Sequence, residues 1–128
     1  LTTRIEGLQR PIYAEPQSLH RCLLNLVTNA ADAVPEANGQ ISINVDEPDD
    51  GSVVISVEDN GPGVADENLR KIFDPFFTTK KEGEGTGLGL WLSQKIIEQH
   101  GGTIHVMSRE KQGATVEIVI PLSSKGVL

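Results

Sequence analysis

Apolar residues recur at helical spacing from Pro16 to about residue 34, with Leu19, Cys22, Leu23, Leu26, Ala30 and Ala33 on one face. The spacing predicts a helix, and Pro16 suits its first turn, where a missing N–H costs nothing. Asn25, Asn29 and Asp32 lie at i, i+4 and i+7, so they form a polar stripe along the edge of that face, beside whatever cavity adjoins it. The period then changes to two. Ile41, Ile43 and Val45 alternate with polar neighbours over residues 40–46, the cluster Glu47-Pro48-Asp49-Asp50-Gly51 turns the chain, and residues 52–58 return as a second, more apolar strand.

Residues 66–72 suit a short helix, whereas residues 74–84 show no periodicity and should be mobile. Leu88, Leu92 and Ile96 step by four through a further helix that stops at Gly101-Gly102, a pair suited to a left-handed C-terminal cap. Thr103 to Ser108 and Ala114 to Pro121 read as a hairpin closed through residues 109–113. A short extended segment is expected around Pro11-Ile12-Tyr13-Ala14, and residues 122–128 read as a tail. Helix, hairpin, lid, helix and hairpin define an α+β two-layer sandwich. Its mostly antiparallel, mixed sheet is covered on one face by about three helices, as a single domain over residues 1–128.

Composition narrows the function classes. A net charge of −7 argues against general nucleic-acid binding, and any polyanion must be met by local compensation. The single cysteine, Cys22, has no internal partner and fits a buried thiol in a reducing compartment. No apolar run reaches transmembrane length. A start at Leu1-Thr2-Thr3 rather than Met suggests a piece of a longer protein.

Residues that can carry chemistry gather between positions 52 and 90. Asp59 follows an apolar strand and precedes Gly61 and Gly63, so its carboxylate can accept a hydrogen bond from an exocyclic amine such as adenine N6 while the backbone beside it stays open. An ordinary Asp-Asn-Gly turn is the competing reading. Gly85, Gly87 and Gly89 alternate with Thr86 and Leu88 just ahead of a helix, so several N–H groups and the positive helix end can face an anion. A flexible hinge is the alternative there. Asn29, with Asn25 one turn earlier, can offer a neutral oxygen to Mg2+. Lys80 and Lys81, with Arg70 and Lys71 before them, can close on terminal phosphates or form a solvated run. Phe73, Phe76 and Phe77 are either anchors that dock the lid or plain core filling. His20, His100 and His105 do not cluster as metal ligands and read as structural or surface residues.

Five segments together resemble the N, G1, F, G2 and G3 boxes of the catalytic ATP-binding domain of sensor histidine kinases, in the GHKL or Bergerat family. They are residues 25–30 (NLVTNA), 59–63 (DNGPG), 73–77 (FDPFF), 85–90 (GTGLGL) and 113–115 (GAT). The resemblance implies the Bergerat fold, with an ATP lid at about 74–86. It implies that Asp59, with Gly61 and Gly63, binds adenine, that Asn29 ligates Mg2+, and that Gly85, Thr86, Gly87, Leu88 and Gly89 cradle phosphates. Phe77 would line the nucleotide, and Thr115 would back up Asp59 through a hydroxyl or water. The run 75–80 (PFFTTK) resembles the nitrogen-regulatory branch, where a lysine, here Lys80, approaches the γ-phosphate. Asp32 stands where some members carry a basic residue, and Ala114 intervenes between the third-box glycine and Thr115.

Relatives such as DNA gyrase and MutL place a water-activating glutamate where Asn25 stands, and an asparagine has no useful basicity for that task. Asn25 and Lys80 are therefore expected to serve transfer of the γ-phosphate of ATP. The acceptor implied is a histidine on a separate dimerisation helix pair, in a kinase, soluble or membrane-anchored, whose catalytic domain lies in the cytoplasm and which addresses a response regulator. The domain itself is expected to be monomeric, without nucleic-acid or membrane contact. A clamp ATPase, a serine-phosphorylating anti-sigma factor and a nucleotide-binding scaffold are the alternatives.

Overall fold

The most apolar strand stands at the middle of the sheet, because a strand with both neighbours paired loses most water. The computed structural model describes residues 2–5, 16–48, 51–77, 89–108 and 112–121. In chain order the elements are β1 (Thr2–Ile5), α1 (Pro16–Ala33), β2 (Gln40–Asp46), β3 (Ser52–Asp59), α2 (Asp66–Leu69), α3 (Gly89–Gln99), β4 (Thr103–Ser108) and β5 (Ala114–Pro121). The strands lie in the order β1-β2-β3-β5-β4. β1 runs parallel to β2, and the other pairs are antiparallel. The mixed, mostly antiparallel sheet and its one-sided cover of helices agree with the α+β expectation, and β1 adds a strand that alternation did not reveal. The expected extended segment at 11–14 lies outside the described residues, as does the part of the expected lid after residue 77.

Side chains alternate across a pleated sheet, so one face holds the core. Val53, Ile55 and Val57 of β3 are buried with Ile118 and Ile120 of β5, which sit opposite Ile55 and Val53. α1 lays Cys22, Leu26 and Ala30 on that face, and α3 adds Ile97. Each large aliphatic side chain so buried contributes about 1.5–3 kcal/mol. The other face carries Val54, Ser56 and Glu58 opposite Val119, Glu117 and Thr115.

Two positions depart from the periodic reading. Ala33, expected in the core stripe, is exposed, because α1 ends there, with its backbone against Gly61 at the β3 exit. On α3 the fully buried residues are Ser93 and Ile97, flanked by Leu90 and Ile96. The face is thus rotated from the Leu92–Ile96 line, since the small Ser93 lets α3 approach α1, where Cys22 Sγ lies 4.0 Å from the Ser93 carbonyl oxygen. The Ser93 hydroxyl is buried, and the neighbouring Cys22 thiol offers it only a weak hydrogen bond. Burial pushes that thiol's pKa up.

α3 ends as its glycine pair predicts. Gly101 takes φ +75°, the Gly102 N–H donates to the Ile97 carbonyl at 2.9 Å, and the Gly101 N–H donates to Glu98 at 2.9 Å. This double bond pattern closes the helix and feeds β4 directly. His100 Nδ1 lies 2.8 Å from the Ile96 carbonyl, while His20 and His105 are exposed.

Candidate functional site

β3 delivers Asp59 to the end of the sheet on the helix-covered face, in line with Val57 and Val53. The chain must then leave the sheet sharply, and Asp59 Oδ1 accepts the Gly61 N–H at 2.9 Å, closing an Asx-type turn. Asn60 holds that turn from outside. Its Oδ1 accepts the Gln40 N–H at 2.9 Å and its Nδ2 donates to the Asn38 carbonyl at 2.8 Å. Gly61 is buried against the last turn of α1, where an added Cβ would stand 2.6 Å from the Ala33 carbonyl oxygen. Only glycine fits so near a backbone oxygen. Gly63, with φ +75°, completes the turn.

Burial raises the pKa of the Asp59 carboxyl; the N–H groups of Gly61 and Ala114 work against it, and Glu58 adds a small push upward. A partly desolvated carboxylate of this kind gains from a ligand donor that replaces the lost water.

One turn back along α1 from Ala33 stands Asn29, half-buried, with Asn25 a turn earlier and also half-buried. Asn29 meets the start of α3, because a Cβ placed on Gly89 would lie 3.6 Å from its Nδ2. Asp59, Gly61, Ala33, Asn29 and Gly89 therefore follow one another along the C-terminal half of α1. Ala33 and Asn29 are about 6 Å apart along the helix axis. A carboxylate thus stands at one end of a short wall and a helix N-terminus at the other. The Asn29 amide offers a neutral oxygen beside a residue with no side chain, which suits an ion that keeps most of its waters.

The remaining expected residues fall in three groups. Lys80, Gly85, Thr86, Gly87 and Leu88 lie outside the described residues. Phe73 packs on the core and Phe77 is half-buried, but Phe76 is 74% exposed and takes φ +70°. Phe76 is therefore not docked, and an aromatic residue in the left-handed region carries a steric cost of about 1–2 kcal/mol. Thr115 stands one register step from Asp59 and lines the same cavity, but on the opposite face of the sheet. The register sets Ala114 opposite Asp59, while Thr115 pairs with Glu58 and Met107 on the other face. A slip of one residue changes the face, and Ala114 occupies the place expected for the threonine.

One residue near Asp59 was missed. Ser108 is opposite Ala114, so Ser108, Ala114 and Asp59 form a single rung across three strands. Its Oγ accepts the Val64 N–H at 2.7 Å and donates to the Gly113 carbonyl at 3.0 Å. A serine closing a strand carries no such signal in sequence, because both partners depend on register. A cavity of about 470 Å3 opens beside this rung, walled in part by Leu69, Met107 and Gln112. Gly113 takes φ +90° and packs on the Asp59 carbonyl, so no side chain is admitted there.

A two-layer sandwich with a half-buried carboxylate and a helix start set along one helix is the architecture of an ATP-binding domain. The family described as histidine kinase-, DNA gyrase B-, and HSP90-like ATPase matches residues 14–124, and the chain belongs to it. It is 46% identical over 116 residues to the signal transduction histidine-protein kinase AtoS of Escherichia coli, covering 91% of this chain and 19% of AtoS. With the sensor histidine kinase ZraS of Salmonella typhimurium it shares 46% over 123 residues, covering 96% of this chain and 26% of ZraS. It thus spans between a fifth and about a quarter of these relatives' length.

Among solved structures, the nucleotide-free catalytic domain of histidine kinase ThkA superposes with a TM-score of 0.81 at 37% identity, covering 98% of this chain and 80% of that one. Full-length ShkA in complex with AMPPNP gives 0.82 at 30% identity, covering 95% of this chain and 25% of ShkA. The fold is that of histidine-kinase catalytic domains. Among the described residues, no helix is long and apolar enough to cross a membrane.

Proposed function

We propose that this chain is the catalytic domain of a sensor histidine kinase, binding ATP with Mg2+ and donating the γ-phosphate to a histidine on the kinase's own dimerisation helix pair. The observation that carries the reading is the continuous line from Asp59 through Gly61 and Ala33 to Asn29 and Gly89. Asp59 accepts from the adenine amine, held by the turn that Gly61 packs against α1, and Gly63 lines the flat base. The α3 N-terminus faces the phosphates. Gly85, Thr86, Gly87 and Leu88 extend that cradle, Phe77 lines the nucleotide, and Lys80 meets the γ-phosphate. Asn29 would hold Mg2+ through its amide oxygen, and the ion supplies neutralisation of phosphate charge.

Transfer rests on positioning. The unprotonated imidazole nitrogen forms a bond to the γ-phosphorus as the bond to the bridging oxygen breaks, ADP departs with the electron pair, and the proton on the ring's other nitrogen is released to water. Asn25 supplies no base to activate water, which favours a histidine acceptor over hydrolysis. The parent kinase passes the phosphoryl group to a response regulator in the cytoplasm, and the isolated domain is monomeric. The test is calorimetric titration with ADP and ATP in Mg2+, followed by mixing with the kinase's own phosphoacceptor helix pair. Saturable binding and transfer to the histidine are expected. Steady hydrolysis by the isolated chain would assign it to the clamp ATPases, transfer to a serine of a partner to the anti-sigma class, and binding without either reaction to a scaffold.

A further inference from the structure

We infer that Ser108 is a positioning residue for the base-reading carboxylate, and that through it the domain distinguishes an amino from an oxo group on the purine; this rests on the nucleotide reading above. Asp59 is flanked by two irregular segments. One, residues 60–65, supplies the Gly61 N–H that fixes Oδ1. The other, the end of the β4–β5 connection, supplies the Ala114 N–H and sets Gly113 against the Asp59 carbonyl. Among the described residues, no backbone–backbone hydrogen bond joins the two segments. The Ser108 hydroxyl joins them, accepting from Val64 in the first and donating to Gly113 in the second.

One hydroxyl has one proton and two lone pairs, so both bonds form together. The bridge is short, at 2.7 and 3.0 Å, and part-buried on both sides. It lies on the same rung as Asp59, with only the methyl group of Ala114 between. Without it, Val64 N–H and Gly113 C=O each need a new partner, and the two segments can move apart. The donors that aim the carboxylate ride on those segments. What is lost is orientation of Asp59, which matters for a base that must donate to it and not for the phosphates at the far end of α1.

The test compares wild type with Ser108→Ala, Ser108→Cys and Ser108→Thr, each titrated with ATP, ADP and inosine triphosphate in Mg2+, alongside thermal melts. Inosine carries an oxo group where adenine carries the amine. Ser108→Ala should bind ATP about tenfold more weakly, with the preference for ATP over inosine triphosphate falling by a similar factor. Its ratio of ATP to ADP affinity should stay at the wild-type value. Ser108→Thr, which keeps the hydroxyl, should retain the base preference, and Ser108→Cys, a poor bridge of similar size, should fall between.

A lower melting temperature with an unchanged base preference in Ser108→Ala would make the serine a purely structural strut and overturn the inference. Equal loss in the alanine and threonine variants would do the same. If Ser108→Ala does not fold, an unchanged base preference in Ser108→Cys refutes it. Wild type binding ATP and inosine triphosphate equally refutes the inference together with the assignment of Asp59 to the base while leaving nucleotide binding itself standing, and wild type binding no nucleotide refutes the nucleotide reading beneath both.

Discussion

Replacing Asp59 by asparagine changes one charge and one donor-acceptor sense with almost no change of shape. The asparagine oxygen can still accept the Gly61 N–H that Oδ1 accepts at 2.9 Å, so the turn survives. The other half of the side chain becomes an NH2 group facing the adenine amine, donor against donor. A hydrogen bond to a charged group is worth about 1.5–3 kcal/mol, so ADP affinity should fall roughly 10- to 100-fold. Inosine diphosphate, with an acceptor at that position, should lose far less or gain.

Stability of the free domain should move the opposite way. Burial raises the folded-state pKa of Asp59 above its unfolded value, so its ionised form is disfavoured on folding. Its favourable contribution is present at acid pH, below the unfolded value of about 4, and is lost as pH rises through the raised folded value. At neutral pH the asparagine variant should therefore melt higher than wild type without nucleotide, and the gap should close as the pH is lowered toward 4. Calorimetry with ADP and inosine diphosphate, together with melts across that pH range, measures both effects. A variant that binds ADP as tightly as wild type would refute the assignment of the carboxylate to the base. One that melts lower at neutral pH would refute the desolvation argument.

Gly61→Ala forces a Cβ to within 2.6 Å of the Ala33 carbonyl, which must cost about 1–3 kcal/mol in urea unfolding and weaken ADP binding with it; an unchanged midpoint would show that the turn yields freely. Asn29→Ala should leave metal-free ADP binding almost intact and remove most of the gain on adding Mg2+, as titrations with and without chelator will show. Ser93→Ala deletes a buried hydroxyl whose partner is only the weak Cys22 thiol, so it should shift stability in urea by less than about 1 kcal/mol, and a larger loss would show that the bond between them is strong. Lys80→Ala should leave ADP affinity nearly unchanged and reduce the preference for ATP, and equal losses for both nucleotides would place the lysine away from the γ-phosphate.

The local features of this protein were legible in its sequence, because each is set by residues within a few positions of one another. Helical and alternating periods located α1, β2 and β3. The Gly101-Gly102 pair marked where α3 stops, since a left-handed cap is a local conformation. The five boxes pointed to the family for the same reason: each is a short segment in which glycine, carboxylate or amide does local work.

Register and packing were decided only when the chain closed on itself. Nothing within β5 says whether Ala114 or Thr115 stands beside Asp59, for that depends on how β5 pairs with β3. Ser93 falls off the Leu88–Leu92–Ile96 line and is buried all the same, because α3 packs closely on α1 there. Ser108 acquires its bridge from Val64, 44 positions away, and a strand-ending hydroxyl cannot announce such a partner. The line from Asp59 to Gly89 likewise exists only because the end of β3, the last turns of α1 and the start of α3 meet in space.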